Sequence, residues 1–224
     1  RNDLKTADYG QAIRDARKQL SAEFHAGVDI RKLLHDHAEF IDVMLQHLWM
    51  ANGFMEQPQT TMVAVGGYGR RELHPASDID LMILLTEPPD EECRELLSAF
   101  ITKLWDIGLE VSHSVRTLDE CLEEAQRDLT VITNLIESRF LSGNEALYLQ
   151  LQSCISPERM WSSREFFVAK LEEQRKRYLK FGDTSHRVEP NLKEGRGGLR
   201  DIHTISWVTL REYGTFSLQE LYEK

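Results

Sequence analysis

Along the first fifty residues, apolar positions recur every three to four residues. Leu4, Ile13, Leu20 and Phe24 fit one long helix, and Ile30, Leu33, Leu34, Phe40, Ile41, Met44, Leu45 and Leu48 draw the stripe of a second. Gly27 separates them, and Asp29 is placed to cap the second. Asn52-Gly53 and Pro58 then mark a loop. Residues 61–65 read as a strand, 66–74 as a turn leading into a short helix, and 79–86 as a second strand. After Pro88-Pro89, helical spacing runs from 90 to 107 through Cys93, Leu96, Leu97, Phe100, Ile101 and Leu104, and Gly108 closes it. Residues 109–117 alternate. Leu109, Val111, His113 and Val115 fall on one face, and Glu110, Ser112, Ser114 and Arg116 on the other. Beyond Thr117 the pattern predicts helices at 119–127, 131–141, 145–154 and 164–181. The exception is 181–201, with four glycines and a proline. It reads as a long loop, either functional or a plain helix-to-helix connection. The order predicts an α/β protein: N-terminal helices at 1–57, a small α/β core at 58–118 and a helical domain at 119–224.

Composition narrows the classes. The 224 residues are 41% hydrophobic and 29% charged, enough apolar mass for a core in a soluble protein. No apolar run approaches the roughly 20 residues of a membrane span, and the polar, helical start does not resemble a signal peptide, so no membrane partner is expected. A start at Arg1 without methionine suggests that residues precede it. Cys93, Cys121 and Cys154 form no C-x-x-C pair, which argues against structural zinc or a disulfide framework and for a cytoplasmic protein. The net charge of −10 argues against DNA or RNA as substrate. The basic run "QRKRYLK" (174–180) reads as a solvated helix face. His35, His37 and His47 lack metal-ligand spacing and read as surface or boundary residues.

The chemistry concentrates in "VAVGGYGRRELHPASDIDLMILL", residues 63–85. Gly66 and Gly67 follow a strand, where they let the backbone approach a ligand and turn N–H groups toward an anion. Arg70 adds positive charge and Ser77 a hydroxyl, an outline of a phosphate cradle without a P-loop. Asp78 and Asp80 are two apart at the start of a core-type strand, so both carboxylates point to one side and offer hard oxygen ligands for Mg²⁺ or Mn²⁺. A solvated hairpin with capping aspartates would leave two acids unexplained in an apolar run. Glu110, in "LEV" on the next predicted strand, is the candidate for a third carboxylate, as a metal ligand or a proton acceptor. Together these residues point to metal-dependent phosphoryl or nucleotidyl transfer.

"GGYGRRELHPASDIDL" resembles the signature of the nucleotidyltransferase superfamily that includes DNA polymerase β. Within it, the chain is most similar to the bacterial uridylyltransferase/uridylyl-removing enzymes that modify PII signalling proteins in nitrogen regulation. "LWDIGLEVSHSVRTLDEC" (104–121), "DLTVITNLIESRFLSGN" (128–144) and "NLKEGRGGLRDIHTISW" (191–207) extend the resemblance from Val63 to Trp207. It implies a polymerase-β-like core, a small mixed sheet with helices, joined to a helical domain. It also implies transfer of UMP from UTP to a tyrosine hydroxyl of PII, with release of pyrophosphate and with Mg²⁺ or Mn²⁺. Gly66, Gly67 and Ser77 would cradle the triphosphate and Asp78 and Asp80 would hold the metals. Glu110 carries over on the pattern of an acid between apolar neighbours.

The resemblance also implies what should be missing. Family members continue into a metal-dependent phosphohydrolase domain that removes UMP and two small glutamine-sensing domains. A chain ending at Lys224 is expected to do neither. "HDH" (35–37) lies upstream of the transferase motif and reads as an ordinary helix face. Three alternatives share part of the pattern: a protein adenylyltransferase, a non-catalytic nucleotide-binding module, and an RNA-directed nucleotidyltransferase, which the acidic balance disfavours.

Overall fold

The computed structural model describes residues 6–180, 191–216, 220 and 222 of the chain. Helices α1 (Thr6–His25) and α2 (Ile30–Ala51) form where the apolar stripes predict them. Asp29 caps α2, its carboxylate accepting from the N–H groups of Arg31 and Lys32. Strand β1 (Thr60–Ala64), the one-turn helix α3 (Gly66–Gly69), strand β2 (Ile79–Leu85), helix α4 (Glu91–Asp106) and strand β3 (Val111–Thr117) follow. Asp90 caps α4 by accepting from the Cys93 N–H at 2.9 Å. Helices α5 (Leu118–Arg127) and α7 (Glu145–Cys154) also match expectation.

Residues 131–141 do not form the single helix that their spacing predicts. Helix α6 (Leu129–Ile136) ends early, and Arg139–Gly143 is strand β4, antiparallel to β1. Short apolar spacing fits either element. The deciding factor is β1, a strand buried along its whole length whose second edge needs a partner. The sheet order is β3-β2-β1-β4, with β2 and β3 parallel and the other pairs antiparallel.

The two central strands divide their side chains between two faces. Ile79, Leu81, Ile83 and Leu85 of β2 join a core with Leu45, Leu48 and Trp49 of α2 and Phe100 and Leu104 of α4. Met82, on the opposite face, meets the Cys121 thiol at 3.7 Å. Strand β3 alternates in sequence, yet Val115 is 37% exposed and His113 is exposed, because β3 is an edge strand.

The chain divides into two compact units, residues 1–121 with 137–151, and residues 122–136 with 152–224. The first holds the sheet. The second is helical, built from α6, α8 (Ser163–Lys180) and α9 (Leu199–Tyr213). In it the buried Arg211 guanidinium donates to the carbonyls of Ile155, Met160 and Trp161. Residues 181–190 of the expected loop lie outside the described residues, and the rest is folded around Asp201. The Asp201 carboxylate accepts from Gln174 (3.0 Å), Arg177 (2.5 Å), Tyr178 (2.6 Å) and the Gly197 N–H (2.7 Å). The "QRKRYLK" face is therefore only partly solvated, since Arg177 turns inward to this carboxylate. Among the described residues, no helix is long and apolar enough to cross a membrane.

Candidate active site

The chain leaves the sheet at Val65, whose N–H donates to the Asp80 carbonyl at 3.1 Å. Gly66 then opens α3 with φ +58°, a left-handed conformation natural to glycine. No side chain caps this turn, so its first N–H groups are available to an outside acceptor. The glycines belong to the helical turn itself and do not merely precede it. A β-carbon on Gly66 would lie 3.0 Å from the Asp80 Oδ2, which places the carboxylate directly over the turn. Gly67 has more room, with the Glu72 carbonyl 3.5 Å from the same position.

Asp80 is the one half-buried residue in an otherwise buried strand. It stands in register with Ser112 of β3. Asp78, exposed, precedes β2 by one residue, and Glu110, exposed, precedes β3 by one residue rather than lying within it. The Ile79 N–H donates to the Glu110 carbonyl at 2.8 Å, and Ile79 pairs with Val111. Continuing that register puts Glu110 beside Asp78 at the mouth of the sheet. Ser77 is exposed, and its N–H closes a turn on the His74 carbonyl at 3.0 Å that delivers the chain to Asp78.

Arg70 is placed differently from the outward cation the sequence suggests. Its Nε meets Glu72 at 2.8 Å and its Nη1 meets Glu137, whose side chain is only 1% exposed. Burial alone would lower the Arg70 pKa; the Glu137 and Glu72 carboxylates outweigh it and raise it. Tyr68 also points inward and donates from its hydroxyl to Asp42 Oδ1 at 2.5 Å. Burial and the neighbouring Asp42 push the Tyr68 phenol well above its ordinary range. Arg139 forks onto the same carboxylate at 2.6 and 3.0 Å.

Asp42, Glu137 and Arg139 are absent from the sequence-level candidates. One signal for them existed, since Asp42 interrupts the apolar stripe of α2 next to Ile41.

Asp78 and Asp80 are hard oxygen donors of the kind that could hold a divalent cation such as Mg²⁺ or Mn²⁺. Among the described residues, no three His, Cys, Asp or Glu side chains converge as a metal site. Glu110 neighbours Asp78 in the register and is not gathered into a ligand cluster with the two aspartates.

Residues 48–141 match the nucleotidyltransferase domain family, and residues 165–224 match the GlnD PII-uridylyltransferase family. Over 215 residues, 96% of the chain, it is 52% identical to the bifunctional uridylyltransferase/uridylyl-removing enzyme of Ectopseudomonas mendocina (strain ymp). The enzymes of the same name from Pseudomonas fluorescens (strain SBW25) and Stutzerimonas stutzeri (strain A1501) are 51% and 50% identical over 96% and 97% of the chain. The chain belongs to this uridylyltransferase/uridylyl-removing enzyme family. It spans 24% of the length of each of these relatives. In this family member the mixed sheet with its flanking helices is the polymerase-β-like nucleotidyltransferase core that the motif implied.

Proposed function

We propose that the protein transfers UMP from UTP to a tyrosine hydroxyl of a PII signalling protein and releases pyrophosphate. The observation that most supports this is the Asp80 carboxylate standing over Gly66, an acid beside a glycine turn that no side chain caps. The N–H groups of Gly66 and Gly67, with the Ser77 hydroxyl, would hold triphosphate oxygens. Asp78 and Asp80 would hold Mg²⁺ or Mn²⁺, which when bound neutralises charge on the triphosphate and the departing pyrophosphate. The tyrosine oxygen bonds to the α-phosphorus as the bond from that phosphorus to its bridging oxygen breaks. The electron pair leaves with pyrophosphate. Glu110, exposed beside Asp78, takes the tyrosine proton. Arg70, engaged by Glu72 and Glu137, supports the turn rather than reaching for phosphate.

The test is transfer of labelled UMP to purified PII protein, with UTP or ATP, in Mg²⁺ and then in EDTA. Metal-dependent labelling from UTP alone is expected. Labelling from ATP but not UTP would replace uridylylation with adenylylation, and nucleotide binding without transfer in Mg²⁺ or Mn²⁺ would reduce the chain to a binding module.

A further inference from the structure

The 128–144 stretch resembles the family yet contributes no ligand to the cradle. Its Glu137-Ser138-Arg139 segment instead meets the Gly66–Gly69 turn at the end away from Asp80. From this geometry we propose that Asp42, Glu137 and Arg139 are positioning residues, which hold the α3 turn against the Asp80 carboxylate so that its N–H groups face the triphosphate. The proposal rests on the cradle assigned above.

A four-residue helix has almost no stability of its own, so its position must come from outside. Gly69 packs so closely on the Glu137 carbonyl that a β-carbon there has no room. Arg139 donates to the carbonyls of Tyr68 (Nη2, 3.3 Å) and Gly69 (Nε, 3.3 Å) at the end of the turn, the Tyr68 carbonyl also accepting from the Arg71 N–H at 3.1 Å. The same guanidinium forks onto Asp42, which also accepts from the Tyr68 hydroxyl. Arg70 adds the tie to Glu137. The turn is thereby clamped between Glu137 at one end and Asp80 at the other.

Charge decides between positioning and attraction. Asp42 and Glu137 balance Arg139 and Arg70, and Glu72 adds a further negative charge beside Arg70. A cluster neutralised from within draws no phosphate toward itself, and what remains is its rigidity.

Tyr68→Phe removes one tie and leaves the Asp42–Arg139 fork, and Glu137→Gln removes the carboxylate charge that pairs with Arg70, at constant size. Each variant of the full chain should raise the KM for UTP about ten- to a hundredfold while kcat changes by no more than about twofold. Hydrogen exchange should quicken in the peptide 65–72 and not in β1 or β2. A loss of folded protein alone would lower apparent kcat and leave KM unchanged. An unchanged KM, or unchanged exchange at 65–72, overturns the proposal. If the parent chain neither binds UTP nor transfers UMP, the functional reading fails by itself, and exchange at 65–72 still decides whether these residues hold the turn.

Discussion

The carboxylate of Asp80 overhangs Gly66, leaving 3.0 Å between Oδ2 and the position a β-carbon would take. Gly66 also sits at φ +58°. Gly66→Ala therefore meets two penalties. The left-handed backbone costs about 1–2 kcal/mol, and the displaced carboxylate should lower transfer about a hundredfold. Gly67→Ala has neither problem within the chain, because the added carbon makes an ordinary 3.5 Å contact. Its unfolding free energy should stay within about 0.5 kcal/mol of the parent. Urea unfolding beside labelled-UMP transfer separates the two, and equal behaviour of both variants would refute the placement of Asp80.

Asp78 and Asp80 differ in burial, but both should be needed for their charge rather than their shape. Asp78→Asn and Asp80→Asn keep the side-chain size and remove the charge. Each should reduce transfer by at least about a thousandfold, the equivalent of several kcal/mol of lost charge stabilisation, with little change in melting temperature. EDTA should abolish activity of the parent, and added Mg²⁺ should restore it. Near-normal turnover in either variant would remove that aspartate from the site.

The candidate catalytic stretch stands out in the sequence because its oddities are local. Acids inside an apolar run, and glycines just after one, stand out without knowledge of the fold. Helices α1, α2 and α4 were legible for the same reason, through their apolar period and, for α2, the capping aspartate Asp29. Strand β4 was not, because it exists to complete β1 from 75 or more residues further along the chain, as in the pairing of Ala64 with Arg139. The inward turn of Arg70 was hidden too, since its partner Glu137 lies 67 residues away. An arginine beside glycines looks the same whether it faces phosphate or a buried carboxylate.

Arg139 holds a nearly buried acid in place, with Asp42 only 7% exposed. Arg139→Met would leave that carboxylate without its cation, held by the Tyr68 hydroxyl alone, and should destabilise the sheet-containing unit by about 3 kcal/mol. Adding Asp42→Asn should recover part of the loss, because the uncompensated charge is then gone. Urea unfolding of the single and double variants measures both effects. A double variant no more stable than Arg139→Met would mean that the carboxylate is not the source of the cost.

Asp201 gives the helical unit an acid-sensitive contact. Burial by itself would raise its pKa; the hydrogen bonds from Tyr178, Arg177, Gln174 and the Gly197 N–H outweigh burial and hold it down at about 2, against an ordinary 3.8. The carboxyl is harder to protonate folded than unfolded, so the unfolded state binds more protons between these values and stability rises with pH there. The contribution is present in full above the unfolded value and is lost as pH falls from 3.8 toward about 2. Asp201→Asn cannot titrate and should lack this component, leaving a shallower dependence of stability on pH across that window. Urea unfolding monitored by circular dichroism at several pH values across the window compares the two slopes. Parallel slopes in parent and variant would mean that Asp201 is not held as a stabilised anion by its four donors.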